Sequence, residues 1–260
     1  MKDHIKQKIS DSNIFYVSVS QLIAFHQCPA RYSFTRKMAS LKPPSWFIQD
    51  GIIGHALMAG KEESLDKITP RAVRLSERVK EYIEKNYKIH GVEIEQNIVL
   101  SRNINLLRTI DALGEDKDGG ILLDYKFVGS QWDVIPELNL APKAAGFQSK
   151  AYLISPESSD PYDVWPSRMH YVVVSDNDLV VYKYETRSTD FKDVLDAAKN
   201  MKVAWDRQRL PRNESYACHS YCDFRAPCFD EKDWEVDYRE VDNDPYRPDI
   251  RYRDRDEEDS

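Results

Sequence analysis

Two strand-like runs folded back on one another constrain this chain more than any other feature. Residues 104–110 are apolar apart from Asn105, Arg108 and Thr109, and they end on Asp111. Residues 114–120 hold three glycines and a cluster of charges, which reads as a hairpin turn. Ile121, Leu122 and Leu123 then form a short buried strand that delivers Asp124 and Lys126 to one face, because side chains two apart in a strand point the same way. Two carboxylates and an ammonium thus converge where the paired strands end. That set suits phosphodiester hydrolysis: hard oxygen ligands hold Mg²⁺ or Mn²⁺, the ion polarises the phosphate and activates a water, and the lysine stabilises developing charge.

Segments on both sides agree. Residues 143–152 read as a helix that sets Gln148 and Tyr152 four apart on one face, where they reach a phosphate or buttress the lysine. Upstream, Gly51, Gly54 and His55 lie on a helix whose glycines permit close packing, and the histidine offers a nitrogen ligand. In this order (Gly51-x-x-x-His55, Asp111, Asp124-Tyr125-Lys126, Gln148-x-x-x-Tyr152) the chain resembles the RecB-like exonuclease branch of the PD-(D/E)XK nuclease superfamily. The resemblance implies that Asp111 and Asp124 are metal ligands, with the Tyr125 carbonyl and His55 completing the set. It makes Lys126 the catalytic lysine, with Gln148 and Tyr152 supporting it, and Glu95 the acidic residue that precedes the Asp strand; Glu93 is equally placed. Glycine usually stands shortly before the first Asp in that family, whereas here Arg108-Thr109 fills the stretch.

Four cysteines are present, Cys28, Cys218, Cys222 and Cys228, and the last three lie within eleven residues. One remote thiol plus a cluster of three is an odd disulfide framework but a workable metal site. Zinc sites usually pair their cysteines as two close couples; a distant ligand closed by a cluster of three is an iron–sulfur arrangement. The layout is similar to that of iron–sulfur members of the branch, such as the CRISPR-adaptation exonuclease and the AddB nuclease domain, in which the first cysteine follows Ser-x-Leu and precedes proline. Ser20, Leu22, Cys28 and Pro29 match. The resemblance implies a 4Fe-4S cluster that joins the two ends of the chain. Three residues rather than two separate Cys218 from Cys222, which keeps zinc as an alternative.

The formal charge of −7 argues against a nucleic-acid partner only until its distribution is read. Residues 230–260 hold 14 acidic and 6 basic side chains, so residues 1–229 are close to neutral and leave room for a basic groove. Its candidates are Arg31, Arg36, Lys37, Lys42, Lys143 and Lys150, with Tyr32, Phe34, Trp46 and Phe47 available to stack bases. Residues 234–260 are polar, lack hydrophobic periodicity and read as a disordered acidic tail behind a nuclease domain at 1–233. No apolar run approaches the roughly 20 residues of a membrane helix, and no signal peptide is recognisable, so a cytoplasmic location is expected.

Helices are expected over 20–38, 49–63, 71–87, 141–154 and 190–209, and strands over 93–100, 105–113, 121–127, 168–174 and 179–184. The fold class is therefore α/β, a central mixed sheet of the PD-(D/E)XK type flanked by helices, with an iron–sulfur element tying the termini together. The expected function is metal-dependent DNA exonuclease activity on single-stranded or frayed ends in recombination, repair or CRISPR adaptation, with proteins of those systems as partners. The alternative is a non-catalytic DNA-binding or assembly subunit that keeps the fold.

Overall fold

The computed structural model describes residues 14–37, 46–65, 67–129, 142–156, 165–207, 209–210 and 228. In chain order the elements are β1 (Phe15–Ser18), α1 (Val19–Gln27), α2 (Pro29–Lys37), α3 (Trp46–Met58), a short 3-10 turn, α4 (Pro70–Asn86), β2 (Lys88–Ser101), β3 (Ile104–Asp116), β4 (Gly119–Phe127), α5 (Pro142–Tyr152), β5 (Arg168–Val174), β6 (Leu179–Glu185) and α6 (Asp190–Asp206). Contacts divide the chain into two compact units, whose boundaries fall inside α1 and α6. One comprises Ile14–Ile23 and Pro44–Asn200; the other comprises Met1–Asn13, Ala24–Pro43 and Met201–Ser260.

The first unit is built on a six-stranded mixed sheet in the order β1-β3-β4-β5-β6, with β2 paired to β3 as well. β3 is its organising strand. It runs antiparallel to β2 over nearly its whole length. Its other edge is shared: β1 lies parallel to Ile104–Leu107, and β4 pairs antiparallel with residues 112–116. Residues 108–111 are left without a strand neighbour on that edge, between the last rungs Ser18↔Leu107 and Ala112↔Leu123. β4 continues into parallel pairing with β5, and β5 closes on β6 as a hairpin.

One face of this sheet is the core. Ala112, Ile121, Leu123, Tyr125, Phe127, Val172 and Val174 pack against Leu75, Val79 and Ile83 of α4. Those three helical positions recur at intervals of four, so one stripe of α4 is fully buried. Each such side chain contributes about 1.5–3 kcal/mol relative to exposure. Thr69 caps the helix, its side chain accepting the Ala72 N–H at 3.1 Å, and Pro70 occupies the first turn, where its missing N–H costs nothing. The opposite face of β4 presents Leu122, Asp124 and Lys126.

α3 is seated by two devices. Gly54 lies so close to Phe127 that a Cβ there would come within 2.7 Å of the ring. Arg71 donates to Asp50 on α3 at 2.9 Å, to Asp176 in the β5–β6 turn at 2.7 Å and to the Val128 carbonyl just beyond β4 at 2.8 Å. Asp50 is almost fully buried, so this pairing fixes α3 against the end of β4.

The expected single helix over 20–38 is two helices, broken at Cys28. Pro29 disfavours the helical conformation at the residue before it and starts a new helix instead. The Cys28 Sγ accepts the Arg31 N–H at 3.5 Å, as a cap of α2 would. In the second unit Tyr32 is fully buried and meets Phe25 and Trp205 edge-on, with ring centroids at 6.0 and 5.7 Å. That placement corrects its reading as a base-stacking residue. β1 was not foreseen, and β2 begins five residues earlier than expected because its first turn of pairing, Lys88 to Gly91, carries no apolar alternation.

Candidate active site

Asp111 stands where β3 and β4 part. Extending their register one rung past Ala112↔Leu123 sets Asp111 opposite Asp124, but the Tyr125 N–H, freed from ladder pairing, donates to the Asp111 Oδ2 at 2.7 Å instead. Register on the far sides prolongs the row. Val92↔Ala112 and Ile94↔Ile110 place Glu93 across from Asp111, and Asp124 faces Tyr171 on β5. Glu93, Asp111, Asp124 and Tyr171 thus form one row across four strands.

A histidine and a lysine answer the two aspartates. His55 Nδ1 lies 3.4 Å from Asp111 Oδ2, its ring edge-on to Phe127 at 5.5 Å, so the Gly54 contact that seats α3 also aims the histidine. Lys126 Nζ lies 2.7 Å from Asp124 Oδ2. Gln148 Nε2, from α5, donates to Asp124 Oδ1 at 2.5 Å. Lys126 also faces the Tyr171 ring at 6.0 Å, and the Tyr171 hydroxyl is 2.7 Å from Ser149 Oγ.

Burial and charge pull these groups apart in acidity. Asp124 is only 2 % exposed; burial pushes its carboxyl up to about 6, against the pull of Lys126. Burial also works on Asp111, but the hydrogen bond and charge of His55, the charge of Lys126 and the Tyr125 N–H outweigh it and hold that carboxyl below its usual range. Burial would lower His55 and Lys126; their carboxylate partners reverse that and raise both. Burial lifts Tyr152 well above the ordinary phenol range.

Asp124 Oδ2 is fully buried and meets the Lys126 ammonium at 2.7 Å. The donor types fit a hard divalent cation: two carboxylates facing each other across the strand fork, a strand carbonyl at Tyr125 and an imidazole. Among the described residues no three His, Cys, Asp or Glu side chains converge on one point as a finished cage.

Of the residues expected from sequence, the structure brings His55, Asp111, Asp124, Tyr125, Lys126 and Gln148 together. Tyr152 is buried on α5 one turn beyond Gln148. Glu95 is exposed opposite Thr109, one rung pair away from Asp111, so the residue facing Asp111 is Glu93. Glu93 has φ +46, a conformation costly for a side-chain-bearing residue, and its carboxylate pairs with Lys61. The sequence did not resolve the two glutamates because the choice depends on this local irregularity.

Arg108 was overlooked as more than a departure from pattern. It is buried in the stretch of β3 that lacks a strand neighbour on one edge, and donates to the carbonyls of Ala151 and Tyr152, both at 2.7 Å, and to Gln96 at 2.8 Å, beneath the Trp165 ring. These bonds satisfy the carboxyl end of α5, where carbonyls have no intrahelical partner, and thereby position Gln148. Tyr171 and Ser149 were likewise missed. Lys150 is paired with Asp193 of α6 and is not a free groove cation. Cys28 and Cys228 are half-buried; Cys218 and Cys222, the side chains of Arg36, Lys37, Lys143, Trp46 and Phe47, Lys42, and the acidic tail lie outside the described residues.

The sequence profile of the PD-(D/E)XK nuclease superfamily matches residues 39–229, which includes every member of the row. The chain belongs to this superfamily. Among solved structures, a protein from Eubacterium rectale provisionally called an exonuclease is similar over 85% of this chain and 89% of its own, at 10% identity and a TM-score of 0.51. An alkaline exonuclease from Laribacter hongkongensis aligns over 75% of this chain and 89% of its own, at 11% identity and a TM-score of 0.38. No curated protein matches the sequence. The superfamily's α/β architecture, a mixed sheet with helices on it, is the one described above. Among the described residues no helix is long and apolar enough to cross a membrane.

Proposed function

We propose that this superfamily member is a metal-dependent deoxyribonuclease of the RecB-like branch, an exonuclease acting on single-stranded or frayed DNA ends in recombination, repair or CRISPR adaptation. The observation that carries the reading is the Asp111–Asp124 pair at the strand fork, with Lys126 alongside.

In this reading Asp111, Asp124 and the Tyr125 carbonyl hold Mg²⁺ or Mn²⁺, with His55 as nitrogen ligand and Glu93, rather than Glu95, as the further acidic group. The bound ion polarises the phosphate and lowers the pKa of a water. Lys126, held protonated by the carboxylates, supplies fixed positive charge where the phosphate gains negative charge in the transition state. Gln148 keeps Asp124 oriented through its amide, and Arg108 keeps Gln148 in place through the end of α5.

The four cysteines are assigned to a 4Fe-4S cluster, with zinc as the alternative. Supporting this, the segments that carry them, Ala24–Pro43 and Met201–Ser260, fall in one compact unit, and the Cys28 sulfur already accepts a backbone N–H. Anaerobically purified protein is then brown with stoichiometric iron; colourless protein with one zinc assigns the site to zinc.

The deciding experiment is a time course on 5′- and 3′-labelled single- and double-stranded DNA with Mn²⁺ or with EDTA. Progressive shortening from one end, dependent on the ion, is expected. DNA that is bound but never cut would identify a non-catalytic DNA-binding subunit instead.

A further inference from the structure

Asp124 is gripped by both of its oxygens. Gln148 Nε2 donates to Oδ1 at 2.5 Å, and Lys126 Nζ lies 2.7 Å from Oδ2. The glutamine comes from α5 and the lysine from β4, and each is a long side chain with several rotatable bonds. Such groups hold one geometry only where packing and hydrogen bonds around them lock it. Tyr171 on β5 touches both supports.

The parallel register of β4 and β5 sets Asp124 beside Tyr171 and Lys126 beside Val173, all on one face of the sheet. Valine gives an ammonium nothing to bond to. The face of an aromatic ring carries negative charge that attracts one, and Lys126 Nζ stands over the Tyr171 ring, 6.0 Å from its centroid. The far end of the ring is tied as well. The Tyr171 hydroxyl shares a hydrogen bond of 2.7 Å with Ser149 Oγ, and the two residues are only 2% and 1% exposed, so water does not compete for it.

Ser149 directly follows Gln148 on α5. Neighbours on a helix stand about 100° apart around its axis, so fastening one sets the direction of the other. Arg108 already holds the carboxyl end of α5 through the Ala151 and Tyr152 carbonyls. The Ser149 bond adds a stop against rolling.

We propose that Tyr171 is a positioning residue of the candidate active site: its ring holds the Lys126 ammonium and its hydroxyl, through Ser149, holds Gln148, so that both meet Asp124 in one geometry. The inference rests on the nuclease reading only for its kinetic consequence. The arrest of Lys126 belongs to the chain without metal or DNA.

The test reads the two separately. Protein labelled with ¹³C at lysine Cε is followed by NMR in EDTA without DNA, the Lys126 signal being assigned by its loss in Lys126→Arg. A held lysine shows two distinct ε-methylene proton shifts, a freely rotating one a single shift. Tyr171→Phe, which keeps the ring, retains two shifts, and Tyr171→Leu merges them; Tyr171→Met replaces the leucine variant where that does not fold. Val172→Ala cuts into the core on the opposite face of the same strand and retains two shifts although it destabilises the fold. With Mn²⁺ and end-labelled single-stranded DNA, Tyr171→Leu lowers kcat about tenfold or more and leaves KM within about twofold, because misplaced groups cost rate rather than grip on the strand. Ser149→Ala and Tyr171→Phe each lower kcat about threefold, and the double variant loses no more than either alone, since all three remove one bond. A ring-less variant that keeps two shifts or cuts at the wild-type rate overturns the proposal, and hydroxyl variants whose losses add overturn the link to Gln148. Shifts that merge in a protein that never cuts DNA uphold the positioning and sink only the nuclease reading.

Discussion

Asp124 is where chemistry and stability meet at the level of single residues. Its carboxyl, lifted to about 6 by burial, carries a proton in metal-free protein below that pH. The folded state therefore holds a proton that an unfolded chain would release down to about pH 4, and this contribution to stability is lost as pH rises from there through 6. A cation held by Asp124 would have to displace the same proton, so Mn²⁺ affinity measured by calorimetry should fall at least tenfold per pH unit between about pH 5.5 and 4.5. An affinity flat across that range would show that Asp124 is not a ligand. Lys126→Ala should lower the cleavage rate by at least on the order of 10²–10³ while DNA binding changes little, since it removes charge aimed at the transition state; single-turnover kinetics on end-labelled DNA with Mn²⁺ measures it. The aspartates, the lysine, His55 and Gln148 were legible because their spacing matches a strand or helix period. Glu93 was not, because a single positive φ decides which glutamate faces Asp111.

Elements are placed by a few contacts that local sequence only hints at. Gly54→Ala puts a methyl group 2.7 Å from the Phe127 ring, against a rigid aromatic rather than a flexible chain end. The expected cost is about 1–3 kcal/mol in urea unfolding, with a loss of activity as α3 and His55 move off the strand fork. Arg108→Leu keeps bulk but removes the donors to Ala151, Tyr152 and Gln96, so two carbonyls and an amide oxygen lose their partner. It should destabilise by about 2–4 kcal/mol and slow cleavage more than it weakens DNA binding; a variant as stable as wild type would mean α5 is held elsewhere. The departure from glycine before Asp111, visible in the sequence, is thus the anchor of a helix 43 residues away. What hid it is that a lone arginine in an apolar run gives no sign of its partner. β1 was hidden differently: four residues are too few to show alternation, and only pairing with β3 makes them a strand.

At the scale of the whole molecule, the cysteines make the most exposed prediction. Serine is a better helix cap than cysteine, so Cys28→Ser preserves the N–H contact from Arg31 that starts α2. Any loss is then chargeable to the metal site: iron should fall away and the melting temperature drop by several degrees, because binding free energy at a structural site is folding free energy. Full iron content with unchanged melting would exclude Cys28 as a ligand. The sheet was legible almost strand by strand, since β3, β4 and β5 bury both faces and read as continuous apolar runs. The aromatic groove was not: Tyr32, surrounded in sequence by basic residues, is a core residue, and composition near a charge cluster says nothing about which way a ring points.

His55 and Lys126 against Asp111 and Asp124 amount to a set of resident counterions. The chain can therefore complete its sheet with charge on the row already offset, without waiting for an ion from outside. A divalent cation entering here would meet competitors tethered in place, and the free energy of parting them would be subtracted from whatever it gains. A metal site so built would exchange its ion readily, and would discriminate less by how tightly it grips than by whether a second negative group, such as a backbone phosphate, arrives to tip the competition.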